Sequence, residues 1–345
     1  MSFARLFAGV ASPILAERHG SPKRSFRLRS GPSAARCAGF PMPPSFGGRS
    51  YVHGVDYSAG AVLWTAFSRT AVECICVKNK MTLPTDDHAL LRSIAEPNTI
   101  LRGLVGSTVH GLVLGGTDDR DEMGVCIEPR RYVLGFGKFE QWVYRSAAER
   151  EGDQGARSQA GDLDLTIYSL RKWTRLALQG NPTVLLLLYL PDDAIVIRTS
   201  VGLELQKLAS SFASKRAGKR FLGYLEAQRQ RLVGERGQRD INRTELVEKF
   251  GYDTKYAMHM LRLGHQGVEF LESGRLSLPM REPVCSHLMD VRCGRSTIAD
   301  VLEECKELEL RLVELLDSST LSPEPDWETV ERFVMDTYES SWASS

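Results

Sequence analysis

The sequence predicts an α/β chain of the α+β kind, a small mixed β-sheet core with flanking helices followed by a helical C-terminal region. Three observations carry this. Apolar stretches of strand length recur between residues 100 and 168, each bounded by Gly, Asp or Asn. From residue 170 onward the apolar positions return at helical spacing and the segments lengthen. The join is punctuated by helix start and stop signals at Ser169, Gly180 and Asn181-Pro182.

Charge divides the chain unevenly. Residues 1–80 carry 11 Lys/Arg against 3 Asp/Glu, a net of +8, which leaves 33 against 40, or −7, for the remainder. That first segment is rich in Gly, Ser, Pro and Arg, a composition that buries too little surface to offset its ordering entropy. We expect a basic, disordered extension there, or a misassigned start, since Met81-Thr82-Leu83-Pro84 makes a normal beginning. The expected layout is then a core at 81–195 and a helical region at 196–345. No apolar run exceeds residues 183–190, too short to span a bilayer and expected as a buried helix. The seven cysteines form no CxxC pair. Cys285, His287 and Cys293 lack a fourth ligand for zinc, so free thiols in a reducing cytoplasm are expected.

Element by element, residues 85–96 read as a short helix with Asp86 and Asp87 at its favourable end. Residues 100–105 are a strand candidate ending in Gly106-Ser107, and 119–127 a second strand carrying Asp121. Residues 136–160 mix aromatics with Gly, Ser and charge and are expected as a loop or flap. Residues 163–168 alternate apolar positions with Asp164 and Thr166, as in a strand with one functional face. Ser169 caps a helix closed by Gly180, and Asn181-Pro182 opens another. Further helices are expected near 200–213, 215–233, 242–249, 253–273, 296–316 and 325–342.

The chemistry centres on Gly106-Ser107, eleven residues, then Asp119-Arg120-Asp121. Two carboxylates separated by one residue on a strand share a face and suit a hard divalent cation. A Gly-Ser turn offers backbone N–H groups and a hydroxyl with no bulky side chain in the way of a polyphosphate. Cations held between the two elements activate an attacking oxygen and stabilise a departing pyrophosphate. Asp164 is the first candidate for a third carboxylate, with Asp162 second.

The segment Val105-Gly106-Ser107-Thr108-Val109-His110-Gly111-Leu112, continued by Thr117-Asp118-Asp119-Arg120-Asp121-Glu122-Met123-Gly124-Val125, resembles predicted nucleotidyltransferases of the DNA polymerase β superfamily. It is most similar to the stand-alone RNA-repair-pathway polymerase-β-like group. Ser169-Leu170-Arg171-Lys172-Trp173, Gly180-Asn181-Pro182-Thr183 and Lys255-Tyr256-Ala257-Met258-His259-Met260-Leu261-Arg262-Leu263 match further blocks in the same order. Asp118 stands where the group commonly has Ser, and Arg120 replaces an apolar residue of the broader pattern. The resemblance implies transfer of a nucleoside monophosphate from an NTP such as ATP to a hydroxyl on RNA, protein or a small molecule. It implies Gly106 and Ser107 on the phosphates and Asp119 and Asp121 on Mg2+ or Mn2+, with the third carboxylate contested between Asp164, our first candidate, and Asp162. A non-catalytic nucleotide- or RNA-binding protein on the same fold is the second reading, and a helical partner-binding protein the third.

Three secondary sets remain. Lys255, His259 and Arg262 share one helix face and suit a triphosphate or a polynucleotide, or simply solvent. Lys172, with Arg171 and Arg175, is a second phosphate-neutralising candidate. The basic helix holding Lys215, Arg216, Lys219, Arg220, Arg229 and Arg231 suits nucleic acid or bulk water. His110 falls within the turn without an assigned role.

Overall fold

The computed structural model describes residues 87–115, 119–152, 158–234 and 243–343. All belong to one compact unit, Asn79–Ser345. The basic segment expected at 1–80 lies outside the described residues, as do Thr117 and Asp118.

Five strands form one sheet: β1 (Thr99–Leu104), β2 (Arg120–Cys126), β3 (Gln141–Arg145), β4 (Leu163–Ser169) and β5 (Ile195–Arg198). Their order is β3-β4-β2-β1-β5, with β2 and β4 parallel and the other neighbours antiparallel. Around the sheet lie α1 (His88–Ala95), α2 (Gly106–His110), α3 (Ser146–Glu151) and α4 (Leu170–Leu178). After β5 the chain is helical through α5 (Ser200–Lys207), α6 (Lys215–Leu232), α7 (Thr254–Ser273), α8 (Val284–Arg292), α9 (Ile298–Ser318) and α10 (Trp327–Ala343). Shorter helical turns join them. The fold is therefore the mixed α/β class with a helical C-terminal region. No helix of the described residues is long and apolar enough to cross a membrane.

Alternation along the strands decides which face buries what. Leu101, Met123 and Val125 point one way and join Trp173, Leu185, Phe212, Phe221 and Phe270 in the largest apolar cluster. Cys126, Leu165 and Ile167 point the other way, against Ile94 and Ala95 of α1 and Trp142 of β3. The helices start and stop on the sequence signals. Asp87 caps α1 by accepting from Ala89 N and Leu90 N, and Ser169 Oγ accepts from Lys172 N at 3.1 Å. Asp253 caps α7, which ends at Gly274 with φ +69°. Thr297 and Asp300 form a reciprocal capping box on α9.

The structure corrects several expectations. The region 136–160 is not only loop, since it contains β3 and α3. Trp142 and Tyr144 alternate with Val143 and β4 supplies the pairing partner, so tertiary burial outweighs the polar composition. Residues 183–190 hold no continuous helix; Pro182–Leu185 passes into a 3-10 turn, Leu186–Tyr189. β5 and α8 were not anticipated. β5 is four residues long and exists because the edge of β1 is open to it.

α7 is the central helix of the C-terminal region, packed between α6, α8 and α9. Its Gly264 and Gly267 let neighbours approach: a Cβ on Gly267 would lie 2.8 Å from Phe221 Cβ and 2.9 Å from Leu312 Cδ2. α10 returns to the sheet, where Arg171 N donates to Tyr338 Oη at 3.1 Å and Trp342 Nε1 to the Glu128 carbonyl at 3.3 Å. A paired substitution tests this packing. Gly223, exposed on α6 with open space around its missing Cβ, should gain about 0.5–1 kcal/mol as Gly223→Ala. Gly267→Ala should cost about 1–3 kcal/mol from overpacking. Urea unfolding of both variants checks the opposite signs.

Candidate active site

The site begins where β1 ends. Val105 N donates to the Asp121 carbonyl at 2.9 Å, which ties the end of β1 to the start of β2. The chain then turns through Gly106 at φ +69°, a conformation that disfavours any side chain. The missing Cβ matters a second time, because it would lie 2.0 Å from Asp121 Oδ2 and 2.8 Å from its Cγ. The Asp121 carboxylate occupies the space that Gly106 leaves. Ser107 follows in α2, and its carbonyl accepts from Leu112 N at 3.0 Å.

Asp121 pairs in register with Asp164 across the parallel β2–β4 ladder, so both project from one face. Asp119, just before β2, completes the group: one carboxylate oxygen of Asp119, Asp121 and Asp164 each lies within 4.8 Å of the others. Three like charges this close repel on the order of 3 kcal/mol per pair at an effective dielectric near 20. Arg145 offsets part of this through Asp164, its Nε 3.3 Å from Oδ1. Ser158 Oγ donates to Asp164 Oδ2 at 2.9 Å and accepts from Arg145 Nη2 at 3.0 Å. A set of three carboxylate oxygens matches the ligand preference of a hard divalent cation.

Asp162 lies outside that group. It accepts from Arg150 Nη1 at 2.5 Å, Ser146 Oγ at 2.8 Å and Gln159 N at 2.7 Å. The Arg150 hydrogen bond, reinforced by the Gln159 amide, pulls its pKa down to about 2. It fastens the start of α3 to the start of β4. Arg120 turns to the opposite face, where it and Arg102 both donate to the buried Glu122.

The other end of α2 docks into the helical region. His110 is buried, and its Nε2 lies 2.6 Å from Arg262 Nη1. Arg262 Nη1 also donates to Gln266 Oε1 at 2.8 Å, and its Nη2 lies 3.0 Å from His259 Nε2. Backbone contacts reinforce the joint: Met280 N donates to the His110 carbonyl at 3.2 Å and Arg292 Nη1 to that of Leu112 at 2.5 Å. Arg262 is a buried guanidinium whose neighbours are imidazoles and an amide, and its Nε has no hydrogen-bond partner. Burial lowers its pKa to about 10. Burial, then the charge of Arg262, holds His110 well below the usual imidazole range. For His259, which opens to solvent, the Arg262 charge leads, and Lys255, Arg243 and Arg292 add to it. Of the stripe Lys255, His259 and Arg262, Arg262 meets the turn through His110, with His259 beside it.

The model of the RNA repair pathway DNA polymerase beta family matches residues 84–336. The chain belongs to this family. A nucleotidyltransferase-like protein from Exiguobacterium sibiricum is similar over 74% of this chain and 79% of its own, at 13% identity and a TM-score of 0.26, too low for any argument to rest on it. No curated protein matches.

Within this polymerase-β family frame, the expected residues fall into two groups. Gly106, Ser107, Asp119, Asp121 and Asp164 come together, and His259 and Arg262 reach the same turn through His110. Lys172 does not join them. It sits beyond the C-terminal end of β4, opposite the Asp164 end, with Glu140 Oε2 at 3.1 Å. In the basic helix, Arg216 pairs with Glu324 and Arg229 with Glu309. Cys285 and Cys293 are free thiols, and His287 Nε2 lies 2.7 Å from Glu304 Oε2. Sequence reasoning missed Arg145, Ser158 and the role of His110; only the last carried a signal, a histidine just before the Gly111 that ends α2.

The depressed His110 pKa has a consequence for stability. Below about pH 6.5, the usual imidazole value, the unfolded chain binds a proton that folded His110 refuses. Stability is therefore full above that pH and falls on acidification, by up to about 1.4 kcal/mol per pH unit for one histidine. Urea unfolding at neutral and mildly acid pH should show a smaller acid loss for His110→Gln than for the unaltered chain. Equal losses would place the sensitivity elsewhere.

Proposed function

We propose that this chain is a metal-dependent nucleotidyltransferase that moves a nucleoside monophosphate from an NTP to an acceptor hydroxyl. The observation that carries the reading is the convergence of Asp119, Asp121 and Asp164 beside the Gly106-Ser107 turn. In the reaction, the acceptor oxygen bonds to the α-phosphorus, the bond from that phosphorus to the β-bridging oxygen breaks, and pyrophosphate leaves. Asp119, Asp121 and Asp164 are the residues that would hold Mg2+ or Mn2+, which when bound supplies Lewis acidity for the charge on the transferring phosphoryl group.

The chain's own residues do the rest. Asp164, oriented by Arg145 and Ser158, takes the proton of the acceptor hydroxyl. Gly106 and Ser107 hold the β- and γ-phosphates, since the first amides of a helical turn lack intrahelical acceptors. Lys255 and His259 offer positive charge and a neutral donor to the same phosphates, while buried Arg262 holds His259 and His110 in place. On this reading the core, 81–195, supplies the carboxylates and the helical region, 196–345, supplies the cations. An RNA end is the acceptor class that the family description favours.

The test is transfer from each α-labelled NTP to pooled RNA, with Mg2+ or Mn2+. Asp119→Asn and Asp121→Asn should each lower transfer about 100-fold or more, with unchanged far-UV circular dichroism. Full metal-dependent transfer by either variant would falsify the assignment. Tight NTP binding without pyrophosphate release would instead select the non-catalytic reading. Gly106→Ala, which drives a methyl into the Asp121 carboxylate, should weaken Mn2+ binding about 10–100-fold in a calorimetric titration.

A further inference from the structure

The segment between β2 and β3 reads Arg130-Arg131-Tyr132-Val133-Leu134-Gly135-Phe136-Gly137-Lys138-Phe139. Phe136 is 100% exposed and Leu134 65% exposed. Leaving a phenyl ring in water forgoes about 1.5–3 kcal/mol of burial, so such a display calls for a cause. A slack loop does not explain it. A Cβ on Gly135 would lie 2.5 Å from the Arg131 carbonyl oxygen, and one on Gly137 2.8 Å from the Tyr132 ring. Tyr132 in turn meets the buried Phe139 edge-on, with ring centroids 6.4 Å apart. The chain folds tightly over this anchor and holds Phe136 outward.

The surroundings are cationic. Arg130, Arg131 and Lys138 are exposed, and the Arg131 guanidinium lies over the Tyr132 ring at 4.8 Å. Glu140 faces three cations at once: Lys172 at 3.1 Å, Lys138 at 3.6 Å and Arg175 at 3.9 Å. Glu128, the acidic residue nearest in sequence before the loop, is buried and accepts from Leu170 N. Pairs at the surface of this kind add little stability, so one carboxylate shared by three cations is poorly explained as a structural device. The same cluster accounts for Lys172 and Arg175, which the catalytic carboxylates do not use.

We propose that this surface binds a single-stranded polynucleotide, with a base stacked on Phe136 and phosphates on Arg130, Arg131, Lys138 and Arg175. An unstacked base offers the ring face that Phe136 needs, which a duplex withholds, and its backbone offers the negative charge that the rim needs. The surface lies past the C-terminal end of β2, whose seven residues span about 20 Å from the Asp121 end. A strand gripped here delivers its end toward the carboxylates. That last step rests on the proposed nucleotidyl transfer; the binding itself does not.

Fluorescence anisotropy of the full chain with a labelled single-stranded RNA of about 15 nucleotides tests the surface. Phe136→Ala should weaken binding about 5- to 100-fold with no change in thermal unfolding, and Phe136→Trp should restore it. Arg130→Gln with Arg131→Gln should flatten the slope of log affinity against log salt by about 1.4. Unchanged affinity of Phe136→Ala, or no RNA binding by the unaltered chain, overturns the proposal. So does a Phe136→Ala loss confined to phosphatidylserine vesicles, which would make the surface a membrane contact. Loss of RNA binding in Phe136→Ala with no transfer by any form would retain the surface and remove the reaction.

Discussion

Parallel pairing of β2 with β4, in the register that sets Asp121 beside Asp164, is the constraint from which the rest of the site follows. A slip of one residue would send one carboxylate to the opposite face, among Leu165 and Ile167. The register is held by burial: Met123 and Val125 enter one apolar cluster while Leu165 and Ile167 enter the other. Sheet packing therefore does the work of bringing like charges together, against their mutual repulsion. Gly106 completes the arrangement by leaving the volume that Asp121 fills.

The second structural theme is how the Gly106-Ser107 turn is held. α2 is five residues long, too short to hold itself by helix propagation. Its start is fixed by the strands and its end by the helical region, through His110, Arg262, Gln266 and Arg292. The carboxylates and buried Arg262 thus meet at one short turn, and the position of α7 relative to the sheet becomes part of the site's geometry. A buried guanidinium among neutral partners is costly to keep. Its place at this joint ties the end of α2 to α7.

Legibility differed by kind of residue. The Gly-Ser and Asp-x-Asp motifs were readable because strand alternation is a local rule, and so were the caps at Ser169 and Asn181. β3, β5 and α8 were not. β3 sits in polar sequence and is stabilised by a partner that follows it in the chain, β5 is only four residues long, and α8 is nine residues long and follows two prolines, Pro279 and Pro283. Asp164 ranked ahead of Asp162 in the sequence as the third carboxylate, although the two lie two residues apart with the same chemistry. The distinction came from Arg150, Ser146 and Gln159 closing around Asp162.

By itself the sequence determined the class of fold, the helix boundaries set by local caps, and the family-bearing blocks in their order. Those properties depend on residues close together in the chain. The tertiary structure decided which carboxylates converge, that Lys172 serves Glu140 rather than the turn, and that Arg262 is buried against His110, which stands 152 residues before it. It also showed Phe136 held bare by the glycines beside it. These outcomes depend on strand order, register and helix packing, which are set by burial over the whole chain and leave no local mark on the residues they bring together.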